Sequence, residues 1–192
     1  MTEPRERTAL ILVDVQKGLD DPSQGQRSNP DAETRMAELL ADWRARQAPI
    51  IHIRHCSTET DSKLRPELPG NAFKDEVMPE AGEIVFEKSV NSAFVGTGLE
   101  DYLRRQGIER VVIVGLTADH CVSATTRSAS DLGFEVTLVA DATAAFERTG
   151  YDGRHYSGDD IHRVSLVSLD GEFCRVLATR DILAGMEPDG DC

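Results

Sequence analysis

The chain has 192 residues, 40% hydrophobic and 29% charged, which suits one globular domain over residues 1–192 and is far from the core-poor composition of a disordered chain. Thirty-four Asp and Glu against 21 Lys and Arg leave a net charge of −13, a field that repels phosphate backbones and anionic lipid, so neither nucleic acid nor a membrane surface is an expected partner. No apolar stretch reaches the ~18 residues of a membrane span, residues 1–7 lack the apolar core of an export signal, and the cysteines at 56, 121, 174 and 192 form no C-x-x-C pair, which together predict reduced thiols in a cytoplasm.

Residues 9–13, ALILV, are a short unbroken apolar run stopped by Asp14, the pattern of a strand buried on both faces of a parallel sheet. A polar loop with Gly18, Pro22, Gly25 and Pro30 follows, and then Met36, Leu39, Leu40 and Trp43 recur at helical spacing within 31–47. Trp43 continues that apolar face and is assigned to core packing rather than to a pocket wall. Residues 49–53 predict a second strand, and the Pro- and Gly-rich stretch 56–82 a loop of a length that often carries function. A third strand is predicted over 83–87 with Lys88 at its end, and Thr97-Gly98-Leu99-Glu100 matches a capping box for a helix running to about Gly107. Residues 111–114 repeat the buried-strand pattern up to Gly115, and a helix carrying Val122, Thr125, Thr126 and Ala129 should follow towards Gly133. A fifth strand is predicted over 134–139, ending in Ala140-Asp141. A second capping signal, Ser157 to Asp160, opens a helix through Leu166, and 173–177 reads as a sixth strand. Strands alternating with helices predict an α/β fold, a three-layer α/β/α sandwich around a mostly parallel six-stranded sheet, Rossmann-like, with no repeat or linker.

In open α/β sheets, sites form outside the carboxyl ends of the strands, where Asp14, His55, Lys88, the 115–121 segment and Asp141 all fall. Cys121 lies close to a helix start, where unpaired backbone N–H groups and the positive end of the dipole stabilise a thiolate. Each residue alone also has a plain structural reading: a packed cysteine, an Asp that ends a strand, a solvated lysine. Together they supply a nucleophile, a proton acceptor and a cation, which a thiol of ordinary pKa, ~8.5, needs in order to attack an amide near neutral pH. Asp141 either braces this site or caps a loop. His52 should point into the sheet packing, and His155 and His162 receive no role. No Asp stands two residues before His52 or His55 and no H-E-x-x-H occurs, so no metal and no cofactor is expected.

Three segments, LVDVQ at 12–16, FEKSVNSAF at 86–94 and GLTADHCV at 115–122, resemble in this order the isochorismatase-like cysteine hydrolase family, over about residues 8–180. The resemblance implies a triad of Asp14, Lys88 and Cys121, a cis peptide between Leu116 and Thr117, and an oxyanion hole built from the backbone N–H groups of Thr117 and Cys121. It implies metal-free hydrolysis of a C–N bond in a small amide, carbamoyl or ureido compound through a thioester, by a homo-oligomer, dimer or tetramer. Gln16, Phe94, His55 at its strand end and His120 beside Cys121 are candidate substrate contacts, with sheet packing or surface exposure as the alternative for the histidines. Nicotinamidases in the family carry a D-x-H motif and a further His between the triad Asp and Lys, and between Asp14 and Lys88 this chain has only His52 and His55, neither with an Asp two residues before it. Isochorismatases proper split a vinyl ether without the cysteine, and Cys121 argues against that reaction. A non-enzymatic ligand-binding α/β module is the remaining class, but no G-x-G-x-x-G follows the first strand and no P-loop motif occurs. The substrate stays open, because the pocket walls belong to loops 17–30 and 56–82.

Overall fold

The computed structural model describes residues 8–185, so Cys192 and residues 1–7 lie outside it. In chain order the elements are β1 (Thr8–Val13), α1 (Ala32–Ala45), β2 (Ile50–His55), β3 (Ile84–Lys88), α2 (Leu99–Arg105), β4 (Arg110–Leu116), α3 (Cys121–Asp131) and β5 (Glu135–Ala144). Two short strands follow, β6 (Arg148–Thr149) and β7 (His155–Tyr156), then α4 (Gly158–Val167), β8 (Arg175–Leu177) and α5 (Thr179–Leu183). Six strands form one sheet in the order β3-β2-β1-β4-β5-β8, and β6 and β7 form an antiparallel ribbon of their own. Every pairing in the six-stranded sheet is parallel, a stricter arrangement than the mostly parallel sheet expected.

β1 is central and almost wholly buried, and its side chains alternate between two cores. Leu10 and Leu12 join Met36, Leu39, Leu40 and Trp43 of α1 and Ile182 of α5 on one face. Ala9, Ile11 and Val13 meet Leu99 and Leu103 of α2 and Val122 and Ala129 of α3 on the other. Each fully buried Leu or Ile of this strand contributes about 1.5–3 kcal/mol relative to exposure, so β1 holds the two helical layers together. Trp43 is buried as expected, and its indole N–H donates to Thr8 O at 3.0 Å.

Four local expectations need correcting. β2 runs two residues further than the apolar pattern reached, because Arg54 and His55 pair with Glu87 and Lys88 of β3. β5 runs on to Ala144 through an irregularity: it advances from Leu138 to Thr143 while β4 advances only from Ile113 to Gly115. The excursion is held by Asn29, whose Nδ2 donates to Ala140 O at 3.0 Å and to Thr143 O at 2.8 Å. The Thr97 capping box does not form. Gly98 caps α2, and the Thr97 hydroxyl donates to Ala93 O at 2.6 Å while accepting from Leu99 N at 3.2 Å. The sixth strand is shortened to three residues, with Phe173 lying under the Arg127 guanidinium at 4.2 Å. At the second capping signal Ser157 does accept from Asp160 N at 3.1 Å.

Candidate active site

The strand order reverses between β1 and β4: β2 and β3 extend the sheet one way, β5 and β8 the other. At such a point the loops leaving the carboxyl ends diverge and open a crevice. Asp14 leaves β1 with a left-handed backbone, φ 52°, its N–H bonded to Ile53 O at 3.0 Å. Lys88 is the last residue of β3 and lies directly opposite His55, the last residue of β2. β4 ends at Leu116, the Leu116–Thr117 peptide is cis, and a short turn delivers Cys121 as the first residue of α3. Gly115 makes the close approach of β4 to β1 possible. Its φ is +128°, and a Cβ there would lie 2.1 Å from Val13 O.

Asp14, Thr117, Cys121 and His55 line one cleft of about 710 Å³. The buried Lys88 ammonium donates to the buried Asp14 Oδ2 at 2.6 Å and lies 3.0 Å from Nδ1 of the partly buried His55. The Asp14 carboxylate, a ring nitrogen of His55 and the Cys121 sulfur lie within 4.8 Å of one another. The thiol also reaches Asn91 Oδ1 at 3.8 Å. Burial pushes the Asp14 carboxyl up to about 6, against the lowering pull of Lys88 and, after it, of the neighbouring Cys121 thiol. Burial, and after it the Asp14 charge, push the Cys121 thiol up to about 12, while Lys88 acts to lower it. A helix start next to a lysine was expected to favour the thiolate, but desolvation and a facing carboxylate win, so the resting sulfur is a thiol. Burial and the Lys88 charge push His55 down to about 4, leaving its ring neutral.

Other candidates fall elsewhere. Gln16 is fully buried, and its amide clamps His55: Oε1 accepts from His55 N at 2.8 Å and Nε2 donates to His55 O at 3.0 Å and Asn71 O at 2.9 Å. Its polar atoms are thus engaged away from any ligand. Phe94 packs its ring 5.8 Å from Phe134 in the core beside α2 and is not among the residues lining the cleft, because the turn after Ser92 directs it into the apolar layer. His120 does line the cleft, with Nε2 3.0 Å from Arg148 Nη1. His52 is buried and pairs with Glu83 at 2.8 Å. Asp141 caps α5, accepting from Thr179 N and Oγ1 at 2.8 Å, so it serves that helix and not the site. His162 is buried, 3.0 Å from Thr143 Oγ1, and helps hold the β5 excursion.

Asp14, His55 and Cys121 are the one cluster with metal-ligand spacing among the described residues. The Lys88 ammonium already lies against two of these donors, and a divalent ion there would meet a like charge at contact distance. The donor set therefore fits a lysine-centred site rather than a metal. The cleft also contains residues outside the predicted set, chiefly Asn91 and Arg148; Arg148 pairs with Asp119, two residues before Cys121. Asn91 stands inside the FEKSVNSAF segment, whose placement beside Cys121 was the available signal. Nothing local marks Arg148. Loops 17–30 and 56–82 supply walls as expected, through Leu19, Gln24, Ser57 and Lys63.

The family model for the Isochorismatase domain matches residues 8–180. A solved hydrolase of the isochorismatase family from Chromobacterium violaceum superimposes with a TM-score of 0.91 at 48% identity, covering 96% of this chain and 95% of that one. YrdC, an isochorismatase family protein of Bacillus subtilis, is 42% identical over 178 residues, 93% of this chain and 95% of its own length. A maleamate amidohydrolase of Pseudomonas putida is 30% identical over 123 residues, 62% of this chain and 53% of that protein.

Proposed function

The chain belongs to the isochorismatase family, and from that premise we propose that it is a cysteine hydrolase that cleaves a non-peptide C–N bond of a small amide through a thioester on Cys121. The observation that carries the reading is the convergence of thiol and carboxylate on one cleft, with the buried Lys88 ammonium bonded to that carboxylate from a neighbouring strand end. An amide acted on by the Pseudomonas relative, as its name states, supports the reaction class.

Asp14 is the proton acceptor. Its Oδ1 is buried without a hydrogen-bond partner, and its carboxyl, pushed up to about 6, is a stronger base than an exposed carboxylate. When Asp14 takes the thiol proton, the charge that disfavoured the thiolate disappears, and Lys88 is left facing the sulfur anion. The thiolate attacks the amide carbon. The developing oxyanion takes hydrogen bonds from the backbone N–H groups of Thr117 and Cys121, both cleft residues, a kind of donor worth roughly 3–4 kcal/mol in acyl transfer. Asp14 returns its proton to the departing amine, and a water deprotonated by Asp14 then hydrolyses the thioester.

A panel of small primary amides, carbamoyl and ureido compounds assayed for ammonia or amine release tests this. At least one should be turned over by the native chain and by neither Cys121→Ala nor Asp14→Asn, with both variants folded. Release by Cys121→Ala at the native rate would remove the cysteine from the mechanism and point to the thiol-independent chemistry of isochorismatases proper.

A further inference from the structure

We propose that His55 is a positioning residue: its neutral imidazole accepts a hydrogen bond from Lys88 and thereby aims the ammonium at Asp14 and the Cys121 sulfur. The inference rests on the cysteine-hydrolase reading above and adds a fourth member to its three residues.

An ammonium has three donors, no acceptor and a four-carbon stem with several rotamers, so one partner does not fix where its charge points. Lys88 has two acceptors, Asp14 Oδ2 at 2.6 Å and His55 Nδ1 at 3.0 Å. With both engaged, the third N–H is the one available to the sulfur, with which Lys88 also interacts. The geometry is set by the sheet. His55 and Lys88 are register partners at the carboxyl ends of neighbouring parallel strands, so their side chains leave the same face side by side.

The histidine is held more firmly than a substrate contact needs to be. Its N–H and C=O are clamped by the Gln16 amide at 2.8 and 3.0 Å, and the same C=O accepts from Asn71 Nδ2 at 2.8 Å. Cys56 N donates to Lys88 O at 2.7 Å, closing β2 onto β3 just beyond the pair. With Nδ1 turned to the Lys88 ammonium, which can only donate, the neutral ring carries its proton on Nε2, and Nδ1 is left as an acceptor. The charged or titratable groups around the ring are Lys88 on β3, Asp14 after β1, Cys121 at the head of α3 and the adjacent Cys56. The burial and the lysine both work against a second positive charge on the imidazole. His55 is thereby unsuited to act as the general base, and it does not need to.

The test is the pH dependence of Cys121 alkylation by iodoacetamide in the free enzyme, which requires no substrate. In His55→Leu the unpinned lysine should leave the apparent thiol pKa about one unit higher and alkylation near neutral pH about tenfold slower, whereas His55→Asn, which keeps an acceptor, should recover most of the difference. An unchanged alkylation profile in His55→Leu, together with a raised KM for a turned-over amide, would overturn the proposal and make His55 a substrate contact. If His55→Leu does not fold, histidine NMR of the native chain and of Lys88→Met decides. The native ring should be the neutral Nε2–H tautomer through pH 5–8, and its titration should rise when Lys88 is removed; a charged ring near neutral pH, or one indifferent to Lys88, would overturn the proposal. Failure of every amide in the panel would count against the hydrolase reading and leave the alkylation result standing.

Discussion

Asp14 has an unusual set of surroundings: almost no exposure, a left-handed backbone, one carboxylate oxygen on Lys88 and the other buried without a partner. A buried polar atom left without a partner is costly and calls for a reason, and the proposed mechanism supplies one by making Oδ1 the atom that would receive the thiol proton. The carboxyl is raised from 3.8 to about 6, so below about 6 the folded enzyme retains the proton and the acceptor is blocked. The plot of kcat/KM against pH should therefore rise through about 6, and Asp14→Asn should cost about 10²–10⁴-fold in kcat. The sign of the linkage separates this from unfolding. A raised folded-state value favours the native state in acid, and that contribution fades as pH rises through about 6, so circular dichroism should stay native while activity falls. An acid limb near 4 would mean that Asp14 is an ordinary exposed carboxylate.

At the scale of elements, the site depends on β4 lying against β1 closely enough to bring Cys121 to Asp14. Gly115→Ala would place a Cβ 2.1 Å from Val13 O and 2.6 Å from Val13 N at a φ of +128°, and neither backbone can move without breaking the β1–β4 ladder. The expected result is a loss of about 1–3 kcal/mol or more, read as a lowered Tm or insoluble protein; an unchanged Tm would show that the two strands are not held so tightly. β1, β4, α1 and α3 were legible in the sequence because their apolar residues follow the strand or helix period without interruption. The end of β2 was not, since Arg54 and His55 are polar and join the strand only through β3. The β5 excursion was invisible for a related reason: Asn29 and His162, which hold it, come from distant segments. Gln16 was misread as a ligand contact because a buried amide bracing a backbone and one facing a ligand look alike in sequence.

Across the chain as a whole, the reversal of strand order opens the cleft, and residues from strand ends far apart in sequence meet there. The segments carrying Asp14, Lys88 and Cys121 were legible because each pairs a reactive residue with a strand terminus. The cleft was only partly so: its walls come from two long loops and from Phe146 to Arg148 after β5, and their convergence is a property of the folded chain. No helix among the described residues is long and apolar enough to cross a membrane. The −13 charge adds no anchor for an anionic polymer, while the reacting groups carry their own local balance, Lys88 against Asp14. What this arrangement stands or falls on is covalent chemistry at the sulfur. The most direct measurement is mass spectrometry of the enzyme quenched in acid during turnover of an amide from the panel. An adduct with the mass of the acyl group is expected on the Cys121 peptide, released by hydroxylamine and absent from Cys121→Ala; full turnover with no adduct on Cys121 would contradict the thioester mechanism.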